Sequence, residues 1–425
     1  MATSTCSLLG TDVFSPPVTQ TDILERKSVF YSASDTSSAV ININCEKSNE
    51  YYTDPSDHWL KVTLKILNQD GTNIAEDAEV ALANFALHSL FEKTDVYLNE
   101  ELITDKSDTY PYEAYFVNTL NYSEKAKEFQ FANSLYHKDT AGKYDTIGDD
   151  NTGFKGRKNW TKQSKEIELI GRLRVDMFNQ PRLLLNNVGI KLVLTKSPKA
   201  FCLMHAAAGN YKIQITNVSF KTTRVKLNPL IANQFERELQ KTNAKYPVHH
   251  NALKTFDITT GSLQVTKEAL YSGRRPRRVI IGLVDADAAS GTSTKNPFNF
   301  KHFNLQDLEI QFDGEKYPSE GIKVNYADDQ FAEAYEHLLI GTGSVNDDKT
   351  IGIDRNDFKN GSAIYVISLS PADPECAAFD PVENGQLRLV MNFKAATPNT
   401  IRCIVMTENE TVYEITKDRK VIKPA

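Results

Sequence analysis

Two adjacent histidines, His249-His250, are the residues best suited by type to hold a metal ion. A metal site needs three or four ligands at defined spacing, and no further His or Cys follows them in such a pattern. Neighbours on a strand also point to opposite faces, which separates the two rings. His205, His302 and His337 stand apart from any recognisable ligand set. Asp285-Ala286-Asp287 and Asp347-Asp348 offer paired carboxylates, the equipment of a glycoside hydrolase. That chemistry depends on a fixed carboxylate separation, which sequence does not set, and acidic loop residues are usually just solvated. The motifs HExxH, GxSxG and the phosphate-binding GxxxxGKS/T do not occur, and no Asp-rich calcium loop ends in Glu. The residues therefore predict no enzyme, no cofactor and no metal.

One charge run stands out: Arg274, Arg275, Arg277 and Arg278 around Pro276. Such a run suits a nucleic-acid phosphate or a localisation signal. Four Arg without interleaved aromatics are a weak nucleic-acid pattern, and pairing with acidic neighbours is the favoured expectation. The aromatic positions Trp59, Tyr97, Tyr115, Phe331 and Tyr335 read as core filling.

The elements that must position these residues are strands. Leu60, Val62, Leu64 and Ile66 alternate with Trp59, Lys61, Thr63 and Lys65, a half-buried antiparallel strand. The alternation of Leu173, Val175 and Met177 with Arg172, Arg174 and Asp176 predicts another. The pattern then repeats. Asp95-Val96-Tyr97-Leu98-Asn99 is followed by a helix bearing Glu113-Ala114-Tyr115, and Leu308 to Asp313 by a helix bearing Glu333-Ala334-Tyr335. Five such landmarks recur in one order, which predicts an all-β chain of two similar sandwiches side by side.

The expected organisation is an extended arm over 1–30, a first sandwich over 31–228, a helical connector over 229–250 and a second sandwich over 251–425. A polar insertion at 121–165 is longer than an ordinary connection and is expected on the outer face. The chain has 425 residues, 40% hydrophobic and 24% charged, with a formal net charge of -6, so its surface as a whole does not attract nucleic acid. Cys6, Cys45, Cys202, Cys376 and Cys403 are odd in number and form no CxxC pair, which fits reduced thiols. Neither a signal peptide nor a run of about 20 apolar residues is seen, so the chain is expected to stay inside the cell where it is made, with no membrane span.

Several patches resemble the major capsid protein of Polinton/Maverick elements and adintoviruses. They are Phe14 to Thr21, Val80 to Phe91, Asp95 to Asn99, Thr109 to Tyr112, Ile170 to Asp176 and Lys295 to Phe303. The resemblance implies a hexon-like double jelly-roll of two eight-stranded sandwiches. It implies a homotrimer forming a pseudo-hexameric capsomer, and an icosahedral virion shell around DNA. A penton or minor capsid protein is an implied partner, and packaged DNA a non-specific one. Under this resemblance the insertion lies at the capsomer top or between subunits. The arm lies under the shell or clasps a neighbour. Candidate interface residues are Phe14, Pro16, Pro17, Thr21, Tyr136, His137, Arg274, Arg275, Arg277 and Arg278. The alternatives are a penton-like vertex protein, a carbohydrate-binding or hydrolysing β-sandwich protein, and a host-domesticated binding protein derived from a capsid gene. A vertex protein usually has one jelly-roll core, which the duplication disfavours.

Overall fold

The computed structural model describes residues 19–104, 108–345, 350–371 and 379–423. Beside a short separate pair, Val80–Leu82 with Leu203–His205, the first half places eight strands in sequence: β1 Ile23–Ser32, β2 Val40–Cys45, β3 Tyr52–Asn68, β4 Phe91–Leu98, β5 Glu101–Leu102, β6 Ile167–Gly171, β7 Ile190–Lys196 and β8 Tyr211–Leu227. Antiparallel pairing sorts them into two sheets, β1-β8-β3-β6 and β2-β7-β4-β5. The second half places β9 Ala244–Ile258, β10 Gln264–Arg274, β11 Arg278–Asp285, β12 Leu305–Phe312, β13 Glu315–Lys323, β14 Ile364–Ser368, β15 Asn384–Phe393 and β16 Ile401–Ile415. Its sheets run β9-β16-β11-β14 and β10-β15-β12-β13. Adding eight to every strand number of the first sandwich reproduces the second. Each half is a jelly-roll, and the chain is a double jelly-roll.

The longest helices in the connections are α1 Tyr110–Leu120, α2 Thr152–Thr161, α3 Pro229–Leu239 and α4 Ala332–Gly341. α1 lies between β5 and β6, and α4 between β13 and β14, the same place in each sandwich. α3 links β8 to β9. It starts at Pro229, with the Asn228 side chain accepting from Leu230 N at 3.0 Å, a cap for an otherwise unpaired donor.

The period-two pattern of β3 does what alternation requires. Leu60, Val62, Leu64 and Ile66 are fully buried between the sheets, while Trp59, Lys61 and Lys65 face outward. β11 differs, because Val279 to Val284 is buried on both faces. Its outer face is covered by α1 rather than by water.

Several expected boundaries move. β1 begins at Ile23, inside the stretch expected as an arm, and pairs with β8 from Ile23 to Ser32. It is an edge strand whose apolar residues do not keep to one face, Leu24 and Phe30 being exposed, which hid its period. The connector is shorter than 229–250, because β9 starts at Ala244 and contains His249-His250. Pro247 is tolerated there because β9 is also an edge strand. The strand expected at Leu173 to Met177 is instead β6, ending at Gly171. Leu173, Val175 and Met177 are core plugs on an irregular segment, held where Leu173 N donates to His58 Nε2 at 3.0 Å.

Candidate assembly surfaces

The seam between the two sandwiches is built by α1. Tyr110 and Ala114 pack into the first core, whereas Tyr112, Tyr115, Phe116 and Leu120 pack into the second. Of its eleven residues only Glu113 is not buried. Tyr115 stacks on Phe298 with centroids 4.5 Å apart, and Phe116 meets Phe300 at 5.2 Å. From the first sandwich, Phe85 closes edge-on against Tyr115 at 5.7 Å. Gly282 of β11 leaves the room this requires. A Cβ there would lie 2.5 Å from Phe300 Cδ1 and 3.1 Å from Phe116 Cζ. Each fully buried aromatic contributes about 1.5–3 kcal/mol, so the seam resembles a core more than a sliding contact.

The insertion at 121–165 reinforces the seam, which corrects its expected place on the outer face. Arg157 of α2 is fully buried and donates to Asp139 Oδ1 at 2.9 Å and to Leu82 O at 2.8 Å. Asn151 caps α2 by accepting from Gly153 N at 3.1 Å. From this folded base the insertion reaches the second sandwich. Gly142 N donates to Asn360 O at 2.7 Å, and the Tyr144 and Ser362 hydroxyls meet at 2.8 Å. Lys127 donates to Thr119 O at 2.6 Å and Ile351 O at 2.5 Å. Burial pushes its ammonium down to about 7. The polar composition read as an excursion is spent on buried hydrogen bonds.

The candidate interface residues fall into three groups. Phe14, Pro16 and Pro17 lie outside the described residues. Thr21 is exposed, and its carbonyl accepts from Asn228 Nδ2 at 3.2 Å. Tyr136 and His137 are only part-exposed. Tyr136 packs on Phe85 at 4.7 Å, and His137 O accepts from Asn84 and Arg157. The arginines are mostly buried and paired: Arg274 with Glu410 at 3.1 Å, Arg275 with Glu383 at 2.6 Å, Arg277 with Glu410 at 3.7 Å, and Arg278 with Glu408 at 2.7 Å. Arg278 also donates to Asn121 Oδ1 at 2.6 Å and Gly341 O at 3.0 Å, joining the ends of α1 and α4. Burial opposes ionisation of Glu408, but Arg278, His249 and Arg277 outweigh it and hold the carboxyl below its usual range.

The remaining candidate chemistry is similarly absorbed. His250 Nδ1 lies 2.6 Å from Asp176 Oδ2, across the seam, and His249 Nδ1 lies 3.8 Å from Glu408 on the other side of β9. No group of three metal-ligating side chains occurs among the described residues. Asp285 and Asp287 share Lys295, at 3.5 and 2.8 Å, and Asp285 also takes Lys301 at 2.7 Å. Burial opposes ionisation of Asp285, yet these lysines and Asn399 keep its carboxyl low. Asp347-Asp348, Cys6 and Cys376 lie outside the described residues. Cys45, Cys202 and Cys403 are buried and unbridged, and burial pushes the Cys45 and Cys202 thiols up to about 12. No helix among the described residues is long and apolar enough to cross a membrane.

Two surfaces remain open. On α4, Ala334, Leu338 and Gly341 are buried, while Ala332, Glu333, Glu336 and Ile340 are exposed, Ile340 by 42%. On the outer face of β1 and β3, Phe30 is 59% exposed and pairs edge-on with Trp59 at 5.6 Å. Trp59 and Tyr97 are part-exposed and face outward, contrary to a core role, whereas Tyr115 and Phe331 are buried. The seam residues Phe85, Phe298 and Phe300 stand out in the sequence only within the patches that carry the family resemblance. Their one local signal is an aromatic run with no strand alternation.

No protein-family model matches the chain. A Caenorhabditis elegans protein, "Uncharacterized protein F54H12.2", is 26% identical over 371 residues, covering 84% of this chain and 86% of that one. Solved structures agree on architecture. A chain of the Sputnik virophage superposes with a TM-score of 0.66 at 12% identity, over 96% of this chain and 90% of that one. A chain of the PBCV-1 virus capsid gives 0.58 at 11% identity, over 97% and 100%. The mavirus major capsid protein gives 0.56 at 12% identity, over 97% and 93%. The fold of this chain is thus the double jelly-roll shared by these viral proteins, followed nearly from end to end.

Proposed function

We propose that the chain is a major capsid protein whose homotrimers tile an icosahedral shell around a DNA genome. The carrying observation is the strand-for-strand duplication in one chain, matched across nearly its whole length by viral capsid chains. Three copies of a two-lobed chain supply six similar lobes. Such a ring fills a hexagonal position while needing only threefold symmetry. The virion is then its place of action, with a vertex protein as a further partner and the Polinton and adintovirus group as its kin. Residues 1–22 serve as a clasp on a neighbour or under the shell. Packaged DNA, if it touches the chain, meets it elsewhere than at Arg274 to Arg278, whose charges are already paired. The sugar-hydrolase alternative is disfavoured by Asp285 and Asp287, which are bridged by lysines instead of facing each other across a groove.

The test is the mass of the purified chain in solution, followed by electron microscopy. A species of three times 47.7 kDa, or closed shells, is the expected result. A strict monomer at high concentration, with no assembly under salt or crowding, overturns the proposal.

A further inference from the structure

The chain contains one interface between its own lobes, and this interface is a template for the contact it makes with another copy. Aligning Glu113-Ala114-Tyr115 with Glu333-Ala334-Tyr335 sets Phe116 against Glu336, Thr119 against Leu339, and Leu120 against Ile340. The two helices then agree in sidedness. Ala114 and Ala334 both pack into their own sandwich. The positions by which α1 grips the second lobe are the positions at which α4 is open: Tyr112, Phe116 and Leu120 are buried, whereas Ala332, Glu336 and Ile340 are exposed. The helices are not identically seated. α4 rests on its own β14 through Gly341 and Val366, while α1 has moved over the neighbouring lobe.

The receiving surface also has a counterpart. β11 ends at Asp285, where Ala286 N donates to Thr400 O; β3 ends at Asn68, where Gln69 N donates to Asn210 O. Counting back three residues from each end equates Gly282 with Lys65. Gly282 faces outward beneath Phe116. Lys65 faces outward between the buried Leu64 and Ile66. The contact Phe116 on Gly282 inside the chain therefore corresponds to Glu336 on Lys65. Both of these charges lack an ion-pair partner among the described residues.

Resting on the trimeric reading above, we propose that α4 docks on the outer face of β3 in a second copy. Glu336 meets Lys65 there, and Ile340 covers the apolar surface beside Trp59. The contact joins two different surfaces, so it propagates head to tail. It closes into a three-chain ring when the turn between lobes within a chain and the turn between chains together make a third of a full circle. An aromatic seam holds the lobes that never separate, and a charged, smaller contact joins the copies that must associate.

The full-length chain is tested by charge reversal and by cross-linking. E336K and K65E are each expected to weaken trimer formation at least tenfold, with the thermal midpoint of the monomer unchanged. The double variant E336K/K65E is expected to regain the trimer. In a second measurement, chains carrying only E336C are mixed with chains carrying only K65C and treated with a short bismaleimide. A covalent two-chain product should form, absent from either variant alone and from the wild type. Single reversals that assemble like the wild type, a double variant that fails to recover, or no mixed product would each overturn this contact while leaving the trimer standing. A wild-type chain that stays monomeric overturns the trimeric reading and this contact with it.

Discussion

α1 and α4 occupy the same connection of the same jelly-roll, yet one is buried along nearly its whole length and the other is open along one side. The difference lies in the residues that face away from the parent sandwich. α1 presents Tyr112, Phe116 and Leu120, and α4 presents Ala332, Glu336 and Ile340. The duplicated order places two equivalent helices in the chain. The side that is covered within the chain is aromatic, and the side left open carries the charge of Glu336.

The comparison breaks most severely at Phe116. Replacing it with Ala removes a ring from a seam that cannot refill, at a cost of about 3–5 kcal/mol. Chemical denaturation is expected to show that loss, or the separate unfolding of two lobes. A loss below about 1 kcal/mol would mean that the seam is not a core.

This seam marks where sequence stopped being legible. The alternation of Leu60 to Ile66 announced β3, because a strand buried on one face must alternate. The duplicated order announced two sandwiches. The edge strand β1 was missed because none of its residues is fully buried and its apolar Leu24 and Phe30 are exposed, so no one-sided pattern forms. Leu173 to Met177 imitated a strand because side chains plugging a core from a loop can also alternate. The seam itself was illegible. Phe298, Phe300 and Phe85 meet α1 only through tertiary placement, and Gly282 looks like any small residue in an apolar run. The insertion misled because its polar residues are inside, satisfied by one another, as Arg157 and Asp139 show.

Gly282 tests the same comparison from the receiving side. A G282A substitution pushes a methyl into Phe300 and Phe116, and overpacking of this kind costs about 1–3 kcal/mol. At the equivalent position on the other lobe, K65A should cost little, because no ring lies over it in the single chain. Matched thermal melts of the two variants give the contrast. Equal losses would remove it.

Lys127 sharpens the difference at the end of α1, where it bridges Thr119 O and Ile351 O. Its ammonium is pushed down to about 7 by burial, against about 10.4 in an unfolded chain. Between those values the unfolded chain holds more protons, so this group makes stability rise with pH across that window. Below about 7 both states are protonated and the contribution is flat at its least favourable value. K127M should therefore flatten the rise of stability between about pH 7 and 10 relative to the wild type. Parallel slopes in denaturant titrations would show that Lys127 stays charged in the fold.

The smallest effect is expected at Glu336, and its smallness is what gives it weight. As an exposed helix residue without an ion-pair partner in its own chain, it should change monomer stability by no more than about 0.5 kcal/mol when replaced with Ala. Its structural counterpart Phe116 should cost several times more under the same conditions. The two substitutions remove equivalent side chains from equivalent helices, so intrinsic helix propensity largely cancels between them. What remains is the difference between a grip already closed and one still open. If E336A destabilised the monomer by about 2 kcal/mol, the outer side of α4 would belong to the second lobe's own fold. The asymmetry between the two helices would then be one of composition and not of occupancy.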